Sequence, residues 1–172
     1  MDLLERRALR SRPASRRTAL AVGMAALAVA GGCFAQADEN ALKAAFVYNI
    51  IAFSQWERPN DGTLTICVQS DAALQAAIET LEAKRLDGRR LRVADGAATN
   101  DCDVRVHRAQ TVVTPVADVL VICDSCQLPN RTSAVSLVRE GNKLRFDVDV
   151  ARARTDRIAL SSQLLRLARR VL

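Results

Sequence analysis

The residues with the most chemistry to offer are Cys123-Asp124-Ser125-Cys126. A C-x-x-C pair serves thiol–disulfide exchange when it opens a helix, whose first amides and dipole lower the pKa of the nucleophilic thiol. Here the first cysteine ends a strand-like run, but Gln127-Leu128-Pro129-Asn130-Arg131 is too polar and too short to start an amphipathic helix before the next strand-like segment at Ala134. A structural or redox-responsive crosslink is the better reading, and a thiol-disulfide oxidoreductase using Cys123 and Cys126 is the alternative. The chain has one histidine, His107, at the end of a strand-like segment between Arg105 and Arg108. It reads as a surface side chain and not as the base of a catalytic triad. A metal centre would need ligands beyond Cys123 and Cys126, and neither oxidised Cys67 and Cys102 nor a solitary His107 supplies them, so neither metal nor cofactor is expected. Neither GxGxxG nor GxxxxGK[ST] occurs, so dinucleotide and P-loop chemistry have no support.

The net charge of +6 suggests nucleic acid until it is divided by segment. Arg6, Arg7, Arg10, Arg12, Arg16 and Arg17 precede the apolar run Ala19 to Ala30, and the remainder of the chain carries only about +2. Arg85, Arg89, Arg90 and Arg92 form one local basic cluster and Arg166, Arg169 and Arg170 another. Without interleaved exposed aromatics these read as solvated faces, the last one suited to a helix C-terminus, and no nucleic acid partner is expected. The apolar run has the length of a signal-peptide core and is too short for a membrane span. It meets Ala35-Gln36-Ala37, so residues 1–37 are expected to be a signal peptide and 38–172 one exported domain, with no membrane insertion after cleavage. The rival readings are a lipoprotein through Cys33 in Ala30-Gly31-Gly32-Cys33, a twin-arginine signal at Arg16-Arg17, and an uncleaved anchor.

Export to an oxidising compartment makes a disulfide framework the default for Cys67, Cys102, Cys123 and Cys126. Four cysteines allow three connectivities. The expected set is Cys123–Cys126, a very small ring worth about 2 kcal/mol, and Cys67–Cys102, which closes about 36 residues and is worth nearly 4 kcal/mol.

The elements that must position these residues alternate. Asp38-Glu39-Asn40 is a candidate cap for a helix from Ala41 to Gln55, which is apolar almost all round and therefore expected to be covered on several faces. It holds or adjoins Phe46, Tyr48, Phe53 and Trp56, four of the six aromatics of the chain. Strands are expected at 64–68, 91–93, 104–106, 119–123, 134–138 and 144–150, a helix at 71–83, a connector at 111–118 and a closing helix from about 150 to 170. Glu140-Gly141-Asn142-Lys143 reads as a hairpin turn. The order implies an α/β fold: a mixed sheet with helices packed on both faces and an antiparallel hairpin near the C-terminal end.

Lys43-Ala44-Ala45-Phe46-Val47-Tyr48-Asn49, followed by Phe53 and Trp56, resembles the first helix of the YfiR-like family of exported bacterial proteins. Leu144-Arg145-Phe146-Asp147-Val148-Asp149 and Leu160-Ser161-Ser162-Gln163-Leu164-Leu165-Arg166-Leu167-Ala168 resemble its closing strand and helix, and Cys67 and Cys102 fall where that family has a cysteine pair. The likeness covers residues 41–169. Asp149 stands where the family usually has Asn, Asp103 where it has His, and Arg131-Thr132-Ser133 where it has a Gly-rich segment. The resemblance implies a periplasmic protein that is not an enzyme. It also implies a partner, the periplasmic sensor domain of an inner-membrane diguanylate cyclase, whose repression keeps cyclic-di-GMP low and restrains biofilm formation. Large aromatics serve both cores and interfaces, so Phe46, Phe53 and Trp56 are the expected partner-binding or homodimer residues. A small-ligand-binding module of a transporter or sensor system is the runner-up.

Overall fold

A computed structural model describes residues 31–59, 61–96 and 101–172, with side chains from residue 39. Residues 1–30 of the expected leader, Asn60 of the expected turn, and the side chains of Cys33 and of Ala35 to Ala37 lie outside the described residues. In chain order the elements are α1 (Gly31–Ala52), β1 (Ser54–Trp56), β2 (Thr63–Gln69), α2 (Ala72–Glu79), β3 (Arg85–Leu86), β4 (Arg89–Asp95), β5 (Val104–Arg108), β6 (Leu120–Asp124), β7 (Val135–Glu140), β8 (Lys143–Val148), α3 (Val150–Thr155), β9 (Ile158–Leu160), α4 (Ser162–Leu167) and β10 (Arg170–Val171).

Eight strands form one mixed sheet in the order β10-β8-β7-β6-β5-β2-β4-β3, and β1 pairs with β9 in a separate antiparallel ribbon. Strands β4, β2, β5, β6 and β7 run parallel. The middle ones are buried at nearly every position, as continuous apolar runs covered on both faces must be. The expected mixed α/β sheet and its C-terminal antiparallel hairpin β7–β8 are therefore what the chain forms. Gly141 supplies the positive φ of 58° that the hairpin turn requires.

Cover on the two faces is unequal. Ala44, Val47, Ile50 and Ile51 of α1, Leu74 and Ile78 of α2 and Leu164 of α4 join Ile66, Val106, Ile122 and Leu137 in the main core. The opposite face carries Cys67, Arg105 and Val121 in one register row and His107, Cys123, Ser136 and Asp147 in the next. There Val113 from the connector between β5 and β6 packs with Val119 and Val121 in a second, small cluster.

Several local expectations change. Helix α1 begins at Gly31, ahead of the expected cap, because nothing in Cys33 to Ala37 breaks a helix, and it stops at Ala52. The residues after it, where helix was expected to run on to Gln55, turn out as strand β1 because Trp56 pairs across to Ile158. The single closing helix is replaced by α3, β9, α4 and β10. Arg157 takes a positive φ of 59°, which no helix continues through, and Ser161 then caps α4 by accepting from the Leu164 amide. Asp149 caps α3 by accepting from the Arg152 amide, a task Asn performs equally well, which accounts for the departure from the family pattern there. Strands β3 and β4 form a hairpin through Asp87 and Gly88, both at positive φ, and the Asp-Gly pair is its signal in the sequence.

Candidate functional site

Helix α1 is not covered all round. Its inner residues Ala44, Val47, Ile50 and Ile51 are buried, but Ala41, Ala45 and Ala52 are exposed and Leu42 is 46% exposed. The apolar surplus that predicted burial on several faces thus leaves an apolar surface. Phe46 on α1 and Phe53 in the turn just after it are half-buried and line a groove of about 370 Å³ with Ile50, Phe146, Leu164 and Leu167. Phe46 meets Phe146 edge-on at 6.2 Å, which fixes the floor. Leu167, at the end of α4, stands 65% exposed at the lip, and Asn49 and Arg145 give the groove a polar rim.

The third expected interface aromatic is elsewhere. Trp56 borders a separate cavity of about 460 Å³ with Ile51, Leu64, Leu86 and Arg89. The Arg89 guanidinium lies over its ring at 5.6 Å, and the buried indole Nε1–H has no hydrogen-bond acceptor among the described residues. The structure brings Phe46 and Phe53 together and sets Trp56 apart.

Lys43, part of the first motif but without an assigned role, is buried and reaches two carboxylates. Its ammonium donates to Asp124 at 2.8 Å and pairs with Glu39 at 3.0 Å, and Arg139 pairs with Glu39 in turn at 2.5 Å. Burial opposes the ammonium, and the bonds to Asp124 and Glu39 outweigh it, so the Lys43 pKa lies above that of an ordinary lysine. This chain of charges locks α1 onto β6 and β7.

The cysteines pair as expected: Cys67 with Cys102, Cα atoms 5.8 Å apart, and Cys123 with Cys126, 5.7 Å apart. Cys123 is fully buried at the end of β6, and residues 125–133 are bends and irregular chain with no helix among them. The helix start that thiol-exchange chemistry uses is therefore missing after this pair. Ser136 Oγ donates to the Cys126 carbonyl at 2.7 Å and the Ser125 amide to the Leu137 carbonyl at 2.9 Å, so β7 holds the loop. His107 is no surface residue: it is 3% exposed, because β5 is an inner strand, and it sits in register with Cys123. A pairing between strands far apart in sequence leaves no local signal, which is why His107 read as solitary. Burial, together with the charge of Arg105, holds its pKa below the usual value, despite a hydrogen bond to the Arg108 carbonyl that acts the other way.

The terminal arginines are likewise more than a solvated helix end. Arg169 and Arg170 both grip the buried carboxylate of Asp147, each at 2.6 Å, as β10 adds to the sheet edge beside β8. The Arg169 bond, against an opposing effect of burial and with help from Arg170, holds the Asp147 pKa below the usual carboxylate range. A carboxylate depressed in the folded state contributes stability at pH above its unfolded pKa of about 4, and that contribution is lost as pH falls through the lower folded value. The melting temperature should therefore fall on acidification below about pH 4, and Asp147→Asn should flatten that acid limb while lowering the neutral plateau. An acid limb of unchanged slope in the variant would show that other groups set it.

A family model described as YfiR/HmsC-like matches residues 40–169. A search of curated proteins finds no match.

Proposed function

The chain belongs to the YfiR/HmsC-like family of periplasmic regulators, and on that footing we propose that it binds and represses the periplasmic sensor domain of an inner-membrane diguanylate cyclase, lowering cyclic-di-GMP signalling. The family is regulatory rather than catalytic. Among the described residues no helix is long and apolar enough to cross a membrane. In this reading residues 1–37 are removed as a signal peptide and the domain that follows acts in the periplasm. The observation that carries the reading is the groove of Phe46, Phe53 and Leu167. A concave apolar surface with half-buried aromatics and a largely exposed leucine is what an interface anchor site looks like on a free subunit.

Leu167→Asp tests it. The residue is exposed, so unfolding should change by no more than about 0.5 kcal/mol, while partner affinity should drop by about 2 kcal/mol, close to 30-fold. Cells carrying it should match a deletion strain in raised cyclic-di-GMP and surface attachment. An unchanged nucleotide level in the deletion strain, with no membrane partner recovered by crosslinking, removes the proposal. A second copy of the chain is the competing occupant of the groove and would show as a concentration-dependent mass abolished by the same substitution.

The cavity beside Trp56 favours a second reading, a small-ligand-binding module, because Trp56, whose indole N–H has no acceptor among the described residues, and Arg89 both line it. A stabilising ligand in a thermal-shift screen, lost in Trp56→Phe and without effect on repression, would select it.

A further inference from the structure

We propose that His107, Cys123 and Cys126, in the dithiol state of the cysteine pair, form a binding site for a thiophilic d10 metal ion, Zn²⁺ or Cu⁺, which the Cys123–Cys126 disulfide closes. This inference is independent of the regulatory reading above. The C-x-x-C spacing is one that zinc sites use, and the strand register supplies the third ligand from β5. The ligand atoms of the three residues all lie within 4.8 Å of one another. A tetrahedral ion with bonds of about 2.0–2.3 Å holds its ligands roughly 3.5 Å apart, so the two sulfurs must separate from bonding distance once reduced, while the imidazole closes in by about one ångström.

The histidine is already set for the task. Its Nδ1 lies 2.8 Å from the Arg108 carbonyl, which can only accept, so the proton is on Nδ1 and the Nε2 lone pair is available. A ring N–H bound to a backbone carbonyl is the support that metal-ligating histidines use. Nε2 accepts from Ser133 Oγ at 3.3 Å, and that hydroxyl has Thr132 Oγ1 at 3.3 Å as another partner once a metal takes its place. Cys126 is half-buried and borders an open cleft of about 570 Å³, which gives the ion its way in.

Opening the site consumes two electrons and two protons. A protein dithiol of the thioredoxin class supplies them: its two thiols become a disulfide as the Cys123–Cys126 bond breaks to give two thiols. The ion then displaces both thiol protons to solvent and takes the Nε2 lone pair.

The test uses the full mature chain, reduced with a phosphine until two thiols per molecule react and mapped by alkylation and mass spectrometry to Cys123 and Cys126. Cobalt serves as the spectroscopic probe, and competition against a chromophoric chelator measures Zn²⁺ and Cu⁺ in separate arms. The reduced protein should bind one equivalent with a thiolate-to-cobalt charge-transfer band, and the oxidised protein none. His107→Gln should weaken binding by about 100-fold. Cys126→Ser, at a half-buried position, should weaken it as much and covers the case in which the His107 variant does not fold. Binding no tighter in the reduced than in the oxidised protein, or an unchanged affinity and cobalt spectrum in a folded His107→Gln, overturns the site.

Discussion

Replacing Lys43 by methionine should lower the free energy of unfolding by about 3–5 kcal/mol, because it leaves the Asp124 carboxylate buried with its countercharge gone. The side chains of Lys43 and Asp124 are only 7% and 6% exposed, so water does not make good the loss, and Ser125 Oγ at 3.2 Å is a single neutral donor. Glu39 is more exposed and keeps Arg139, so it contributes less to the penalty. The double variant Lys43→Met with Asp124→Leu should recover most of the stability, since a buried pair replaced by apolar groups of similar size is often near neutral. Urea denaturation of the two single variants and the double closes the cycle. A single variant within about 1 kcal/mol of the parent would mean that Asp124 is hydrated and the pair is not structural.

The contrast between what the sequence conveys about this helix and what it does not is physical. Period and composition revealed that residues 41–52 are helical and apolar, because helix periodicity is a local property. Whether each apolar side is covered depends on where α2, α4 and β8 stop, and only the assembled sheet shows that Leu167 and Phe53 are left at a lip while Trp56 turns to a cavity on the other side. The inner strands were legible as continuous apolar or β-branched runs. The C-terminal segment was not, because its leucines repeat at helical spacing through both α4 and the strand β9, and one left-handed residue at Arg157 decides the break. Charge pairs were the least legible of all. Lys43 and Asp124 are 81 residues apart, and Arg170 reaches Asp147 only because the last residues add to the sheet. The same holds for His107 beside Cys123, a neighbour relation made by parallel pairing.

The cysteine pairs, legible from spacing and compartment, should differ sharply in what they stabilise. Cys67 lies within β2 and Cys102 just before β5, the adjacent parallel strand, so their bond ties the two strands together across a separation of 35 residues. Both residues are buried, and the Asp103 carboxylate next to Cys102 accepts from the Thr65 amide at 2.6 Å, so the bond sits in a packed corner. Cys67→Ser should therefore lower stability by about 2–5 kcal/mol, a drop in melting temperature of about 10 °C or more, with the proposed repression lost as a consequence of unfolding. Cys126→Ser removes only a ring of very small loop length, worth about 2 kcal/mol by chain entropy, and the hydrogen bonds from Ser136 and Ser125 still hold the loop to β7. That variant should fold, melt well above Cys67→Ser, and change partner affinity if the loop it frees contributes to the docking surface. Melting curves and partner titrations of the two variants side by side decide the matter: equal losses of stability would make both bonds plain staples and end the idea that the short ring is a control point.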